Sequence, residues 1–204
     1  GSVPGCEPSQ PLVDAVSKAL DAGVPVVAPA GNERLNTSFS VLSQIDGVVT
    51  TAATNNRNEL YGQNNFGEEL TVAAPGVSIK TTAKNNKYNT VTGSSYSAAV
   101  VGAALAIYKQ DQSELEPYQW EAFLAANSSD KGTGGKDNYY GYGVLNVGEY
   151  QTVNRQNVQY YTVPNDYITV PVGGTKEMIP RQCAAGWPSR WKNRIMFLSA
   201  LPAP

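Results

Sequence analysis

A chain of 204 residues, 41% hydrophobic and 16% charged, carries enough apolar material for one medium domain with a core, or a domain plus a tail. Its net charge of −2 argues against a nucleic-acid surface, and no run approaches the roughly 18 apolar residues that cross a bilayer. Two cysteines, Cys6 and Cys183, are too few for a disulfide framework or a metal cluster; they bridge each other, bridge to another segment, or stay as buried thiols.

The chain opens on Gly1-Ser2-Val3-Pro4-Gly5 with neither an initiator Met nor a signal pattern, which reads as a processed or truncated product or as an expression scar. Over residues 11–22, Leu12, Val13, Val16, Ala19 and Leu20 share one helical face, with Pro11 suited to the first turn and Gly23 to the stop. Val24 to Ala28 predicts a short buried strand of the kind found in parallel sheets, and residues 48–51 and 70–73 predict two more. Residues 55–67 are rich in Asn and Gly and predict a loop; Ala74-Pro75-Gly76 is a turn before an extended piece at Val77 to Thr81. Residues 94–109 predict a second helix, apolar all round and therefore buried on every side. Pro117 starts a third, through about Asn127, anchored by Tyr118, Phe123 and Leu124. Strands alternating with helices predict an α/β fold on a doubly wound parallel sheet. After Glu149 the character changes: Val158 to Val163 and Tyr167 to Val172 are β-like and Pro-interrupted. The chain is accordingly divided into a domain over 1–150 and a C-terminal extension over 151–204, either small β structure or partly disordered. Asn36-Thr37-Ser38 and Asn127-Ser128-Ser129 are glycosylation sequons that permit a secretory origin.

Ser95 stands in the first turn of the second helix, where free N–H groups and the macrodipole favour negative charge. Gly93 allows a sharp turn before it, and Ser97, Ala98 and Ala99 are small enough for a deeply set helix. A serine there is either an N-cap or a nucleophile. Asn32 follows an apolar strand and Gly31, at the strand ends where open α/β sheets hold ligands. Its amide is either a loop cap for Glu33 or Arg34, or a donor to an oxyanion.

Ser2-Val3-Pro4-Gly5 resembles the substrate-pairing strand of the subtilisin-like serine proteases (the subtilases), and Val24 to Asn32 resembles their strand ending in Ala-Gly-Asn. Leu70 to Ile79 is similar to their Ala-Pro-Gly-x-x-Ile segment, and Gly93 to Ala98 to their Gly-Thr-Ser-x-Ala nucleophile motif. Tyr139 to Val147 resembles their closing Gly-x-Gly-hydrophobic-x-Asn stretch. These segments run in the family's order, and the likeness is to the C-terminal half of the catalytic domain, with its subtilisin-type sheet.

The resemblance implies a serine endopeptidase that hydrolyses peptide bonds through an acyl-enzyme on Ser95, with Asn32 and the Ser95 N–H as oxyanion hole. It implies that Ser2, Val3, Pro4 and Gly5, with Ala28, Pro29, Ala30, Gly31 and Glu33, line the main specificity pocket, Glu33 at its base. The chain departs from the family pattern at Pro29, Tyr96 and Ser97, and at Ala99, where proline is usual. The larger departure is that it contains no histidine. In the family the base histidine and its aspartate precede the oxyanion asparagine, so both are expected on an upstream segment or a separate chain. That fragment is the expected partner, beside a peptide or protein substrate; no nucleic acid and no membrane is expected. Alone, the chain is expected to expose a sheet edge, to be poorly soluble and to be inactive. Spacing places none of Lys18, Lys80, Lys84 and Lys87 beside Ser95 as a substitute base. Secretion, glycosylation and zymogen processing are expected with the resemblance. No cofactor and no metal ligand is assigned: calcium sites in relatives lie mostly upstream, and Thr54, Asn55 and Asn56 offer carbonyl ligands for a weak one. The other reading is a non-catalytic subtilase-like domain for binding or as an effector, motivated by the absent histidine, Tyr96 and the tail.

Overall fold

The structure, a computed structural model, describes residues 7–111 and 117–146 and the backbone of strands at Val158–Thr162, Tyr167–Val172, Thr175–Pro180 and Arg194–Leu198. The chain forms two compact units, Gly1–Thr152 and Val153–Pro204.

Helix α1 (Gln10–Asp21) buries Val16 and Leu20 against Ala28, Ile45 and Val48, with Leu12 and Val13 packed at the margin. Burying a leucine contributes about 1.5–3 kcal/mol, so this one stripe suffices to dock the helix. It stops where Gly23 turns to φ 71° and gives its N–H to Leu20 O at 2.9 Å, a left-handed end suited to glycine. In chain order there follow strands β1 (Val27–Pro29), β2 (Val49–Thr54) and β3 (Leu70–Pro75), and strands β4 (Ile79–Ala83) and β5 (Lys87–Val91). Helices α2 (Ser94–Asp111) and α3 (Pro117–Ala126) come next, then the short strands β6 (Ser128–Ser129) and β7 (Val144–Leu145).

The main sheet has the order β1-β2-β3-β7-β6, parallel from β1 to β7, with β6 antiparallel at the end. Val27 pairs with Val49 and Pro29 with Thr51, while β2 and β3 shift register between Thr50 and Thr51. Every residue of β2, and of β3 except Pro75, is buried, as in a sheet covered on both faces. Helix α2 packs on β1, β2 and β3, and α3 on β3. The two helices meet where the Tyr108 and Phe123 rings lie edge to face, centroids 3.9 Å apart. The α/β class and the parallel sheet are those expected from the sequence.

Several expectations need correction. Helix α2 is not buried on every side: Ser94, Ser97, Val101, Ala104, Leu105 and Tyr108 face inward, while Ser95, Ala99, Ala103, Ala106 and Ile107 are exposed, Ile107 at 56%. An all-apolar pattern does not say which face the sheet takes. The first strand begins at Val27 rather than Val24, which is exposed and followed by a proline that offers no ladder N–H. Beyond Gly76 lies a full antiparallel hairpin, Ile79 opposite Val91 and Ala83 opposite Lys87. Its return strand is exposed and polar, so no apolar alternation announces it. Asn85 and Asn86, at φ 62° and 54°, make the turn.

In the second unit, β8 (Val158–Thr162) pairs antiparallel with β11 (Arg194–Leu198), and β9 (Tyr167–Val172) with β10 (Thr175–Pro180). Among the described residues no helix is long and apolar enough to cross a membrane. Cys6 and Cys183 lie outside the described residues.

Candidate active site

The chain leaving β1 runs directly into the site. Ala30 N–H donates to Thr51 O at 2.8 Å, which carries the strand pairing one residue further before the chain turns away. Gly31 makes that turn at φ 108°, a conformation that a side chain disfavours. Its N–H donates to Ser94 Oγ at 3.1 Å, and its carbonyl accepts from Asn65 N–H at 3.0 Å. Asn32 follows, half-buried, with its own N–H given to Glu33 Oε2 at 2.8 Å.

The start of α2 is tied to the same place. Gly76 N–H donates to Thr54 O and Gly93 N–H to Gly76 O, each at 2.9 Å, so the end of β2 holds the turn that launches the helix. Ser94 N–H then donates to Asn32 Oδ1 at 2.9 Å. Only the oxygen of a side-chain amide accepts from an N–H, so this bond assigns the amide's orientation. With Oδ1 held, Nδ2 is fixed as a donor beside the Gly93 turn: a Cβ on Gly93 would lie 3.6 Å from it. Of the two serines, Ser94 is wholly buried and spent on the Gly31 contact, whereas Ser95 is exposed. Ser95 occupies the first turn of a helix of 18 residues, where a partial charge of about +0.5 stabilises an anion.

Ser95 and Asn32 are thus brought together through Ser94. The remaining expected pocket residues are distributed differently. Ala28 packs in the α1 core and Ala30 in a cluster with Ala52, Leu70, Ala73 and Val144, so neither side chain lines an open pocket. Pro29 and Gly31 are half-buried, and Glu33 is exposed with its carboxylate turned back on the Asn32 amide. Ser2, Val3, Pro4 and Gly5 lie outside the described residues. Lys80 sits over the Tyr88 ring, 4.8 Å from its centroid, with Lys84 and Lys87 beside the hairpin turn and Lys18 on α1.

Two participants have roles that the sequence does not reveal. Asn65, 5% exposed, receives the N–H groups of Glu33 and Leu35 on its Oδ1 at 2.9 and 3.0 Å. Ser94 lies within the Gly93 to Ala98 motif, but nothing along the chain marks its contact with Gly31. Polar residues in an Asn-rich loop all look alike until the fold selects the buried one.

Two of the oxygens near the expected weak calcium site are already taken by hydrogen bonds. Thr54 O already accepts from Gly76 and Val77, and Asn55 Oδ1 accepts from Arg57 and Glu59 N–H groups at 2.8 and 3.0 Å. Among the described residues no group of three or more His, Cys, Asp or Glu side chains is placed to hold a metal. Of the two sequon asparagines, Asn127 is 5% exposed with its Nδ2 donating to Phe123 O at 2.9 Å, whereas Asn36 is exposed.

The profile of the subtilase family (peptidase S8) matches residues 3–143. The chain is 34% identical over 137 residues to the minor extracellular protease Epr of Bacillus subtilis (strain 168), covering 67% of this chain and 21% of that protein. It is 31% identical over 149 residues to subtilisin DY of Bacillus licheniformis, covering 72% of this chain and 53% of that one. The crystal structure of a cold adapted subtilisin-like serine proteinase superposes with a TM-score of 0.60 at 25% identity, over 72% of this chain and 52% of the other. The chain therefore spans about half the length of the subtilisin and of the solved proteinase, and about a fifth of Epr, a partial coverage that fits the C-terminal portion of the catalytic domain. It belongs to the subtilase family.

Proposed function

We propose that this chain contributes the nucleophile and oxyanion hole of a serine endopeptidase, and that its base and supporting aspartate come from an upstream segment or a separate chain. The observation that carries the reading is the Asn32 amide, locked by Ser94 N–H so that Nδ2 stays a free donor, next to an exposed Ser95 at a helix N-terminus. In the proposed reaction Ser95 Oγ adds to a peptide carbonyl while the base takes its proton. The oxygen that becomes negative is held by Asn32 Nδ2 and Ser95 N–H. The base returns the proton to the leaving amine, and water then cleaves the acyl ester and restores the serine. A peptide substrate in extended form would pair with residues 2–5 and with the backbone of Ala28 to Glu33. One oxyanion donor is worth about 10²–10³ in turnover.

The base is sought outside the chain because the sequence contains no histidine. Support for a covering partner comes from α2, whose exposed Ala99, Ala103 and Ala106 continue from Ser95 along one helical face. Secretion is supported by the relative described as extracellular, and glycosylation by exposed Asn36. The test is a fluorophosphonate probe on the native protein with all copurifying chains. Labelling at Ser95, absent in Ser95→Ala, is expected; a complete preparation that stays unlabelled overturns the proposal. That result would favour the second reading, a non-catalytic binding or effector domain, whose specific support is again the missing histidine.

A further inference from the structure

We infer that Asn65 is the positioning residue of the oxyanion loop, acting on Asn32 by clamping the residues on either side of it. The inference rests on the proposed roles of Ser95 and Asn32. Asn65 belongs to the long loop between β2 and β3, yet it is 5% exposed and turned toward residues 31–35. Its backbone N–H holds the Gly31 carbonyl at 3.0 Å, and its Oδ1 takes both the Glu33 and the Leu35 N–H, at 2.9 and 3.0 Å. Asn32 is therefore bracketed by residues that end on the same asparagine.

The loop needs such a clamp. Arg34, at φ 58°, sits in the left-handed region, which costs about 1–2 kcal/mol for a residue with a side chain. No regular ladder runs through residues 31–35; besides Asn65, the loop is tied by Arg34 N–H to Gln63 O, Arg34 Nε to Gly62 O and Phe66 N–H to Leu35 O. The fit is also tight: a Cβ on Gly31 would come 2.9 Å from Asn65 Cγ and closer still to Nδ2, so the amide lies directly against the Gly31 backbone. Asn64 supplies a natural control. Its side chain also makes two hydrogen bonds, but to Ala53 N and O of β2, at 3.0 and 2.8 Å. The two asparagines are adjacent and similarly bonded; one braces the sheet, the other the loop that carries Asn32.

A misplacement of about 1 Å at a reacting centre costs about 100-fold, which sets the scale. In the active native protein, Asn65→Ala should lower kcat about 10- to 100-fold with KM within about twofold, because the charged oxygen depends on Asn32 more than the ground-state carbonyl does. Asn65→Ser, which reaches at most one of the two amides, should fall between. Rates are normalised to the Ser95 titrated to completion by a fluorophosphonate, so that unfolded protein does not count. Asn64→Ala should lower the thermal midpoint while leaving kcat unchanged. The decisive variant is Asn65→Ala in an Asn32→Ala background, which should have the kcat of Asn32→Ala alone. If the two losses multiply, or if Asn65→Ala and Asn65→Ser both keep wild-type kcat, Asn65 is only a structural brace and the inference falls. If Ser95→Ala retains full activity, the serine reading falls first and takes this one with it.

Discussion

The adjacent serines Ser94 and Ser95 should separate stability from chemistry. Ser94 is wholly buried and its Oγ accepts the Gly31 N–H at 3.1 Å. Ser94→Ala removes the acceptor and leaves that amide unpaired, which costs about 1–3 kcal/mol for a buried group. Gly31 is only half-buried, so the lower part of that range applies, about 1–2 kcal/mol. For a protein of this size each kcal/mol moves the midpoint by about 2–4 °C, giving a fall of about 2–8 °C. Ser95 is exposed, and Ser95→Ala should change stability by less than about 0.5 kcal/mol. Its turnover, by contrast, should fall by about 10⁶-fold, as expected when a nucleophile is removed. The paired assay is a thermal melt by circular dichroism and fluorophosphonate labelling of the native protein. The reasoning is refuted if Ser95→Ala still labels, or if Ser94→Ala melts with wild type while losing all labelling.

Three further outcomes follow from the same contacts. Gly76→Ala would place a methyl 2.8 Å from Ala53 Cβ, 2.9 Å from Gly93 O and nearer still to Ser97 Oγ, so it should destabilise by about 1–3 kcal/mol in a urea titration and slow labelling of Ser95; an unchanged midpoint would count against the packing described. Asp46 is exposed, and partial desolvation raises its carboxyl above its ordinary 3.8, so its small contribution favours the fold below pH 3.8 and is lost as pH rises through the raised value. Asp46→Asn should therefore raise the melting temperature at pH 7, with no gain below pH 3.8; equal midpoints at pH 7 would contradict this. Ala103→Glu, on the exposed face of α2, should leave the fold of this chain nearly unchanged but abolish copurification of a base-carrying fragment and the labelling that depends on it. Retention of both would remove that face from the proposed interface.

What could be read from the sequence follows from how each signal is stored. Helix α1 has an apolar stripe at Val16 and Leu20 and a glycine stop, both local, and it appears within a residue of its expected limits. Strands β2 and β3 are short buried runs, and their parallel pairing agrees with strands separated by helices and long loops. Only the first strand of hairpin β4–β5 shows in the sequence, because its return strand faces solvent and has no core to impose alternation. Ser95 and Asn32 were legible through motif order, whereas their connection through Ser94, and the grip of Asn65 on Gly31, Glu33 and Leu35, depend on contacts between distant segments. A hydrogen bond closed by folding leaves no pattern along the chain.

The mismatch at α2 carries the most functional weight. Its sequence is apolar on both faces, yet the sheet takes up only the side of Val101, Leu105 and Tyr108. Exposed alanines cost little, but Ile107 at 56% exposure forgoes roughly half of the 1.5–3 kcal/mol that full burial of such a side chain contributes. A surface that packed there would recover this energy and, running along the Ser95–Ala99–Ala103–Ala106 row, would reach Ser95 itself. The chain contains no histidine, and the base proposed to act on Ser95 would arrive on such a surface. The apolar face and the missing base thus describe one proposed interface, and Ile107→Lys tests both: it should weaken association with the base-carrying fragment and lower Ser95 labelling in the same proportion. Loss of labelling with association intact would show that the face does not serve to bring the base to Ser95.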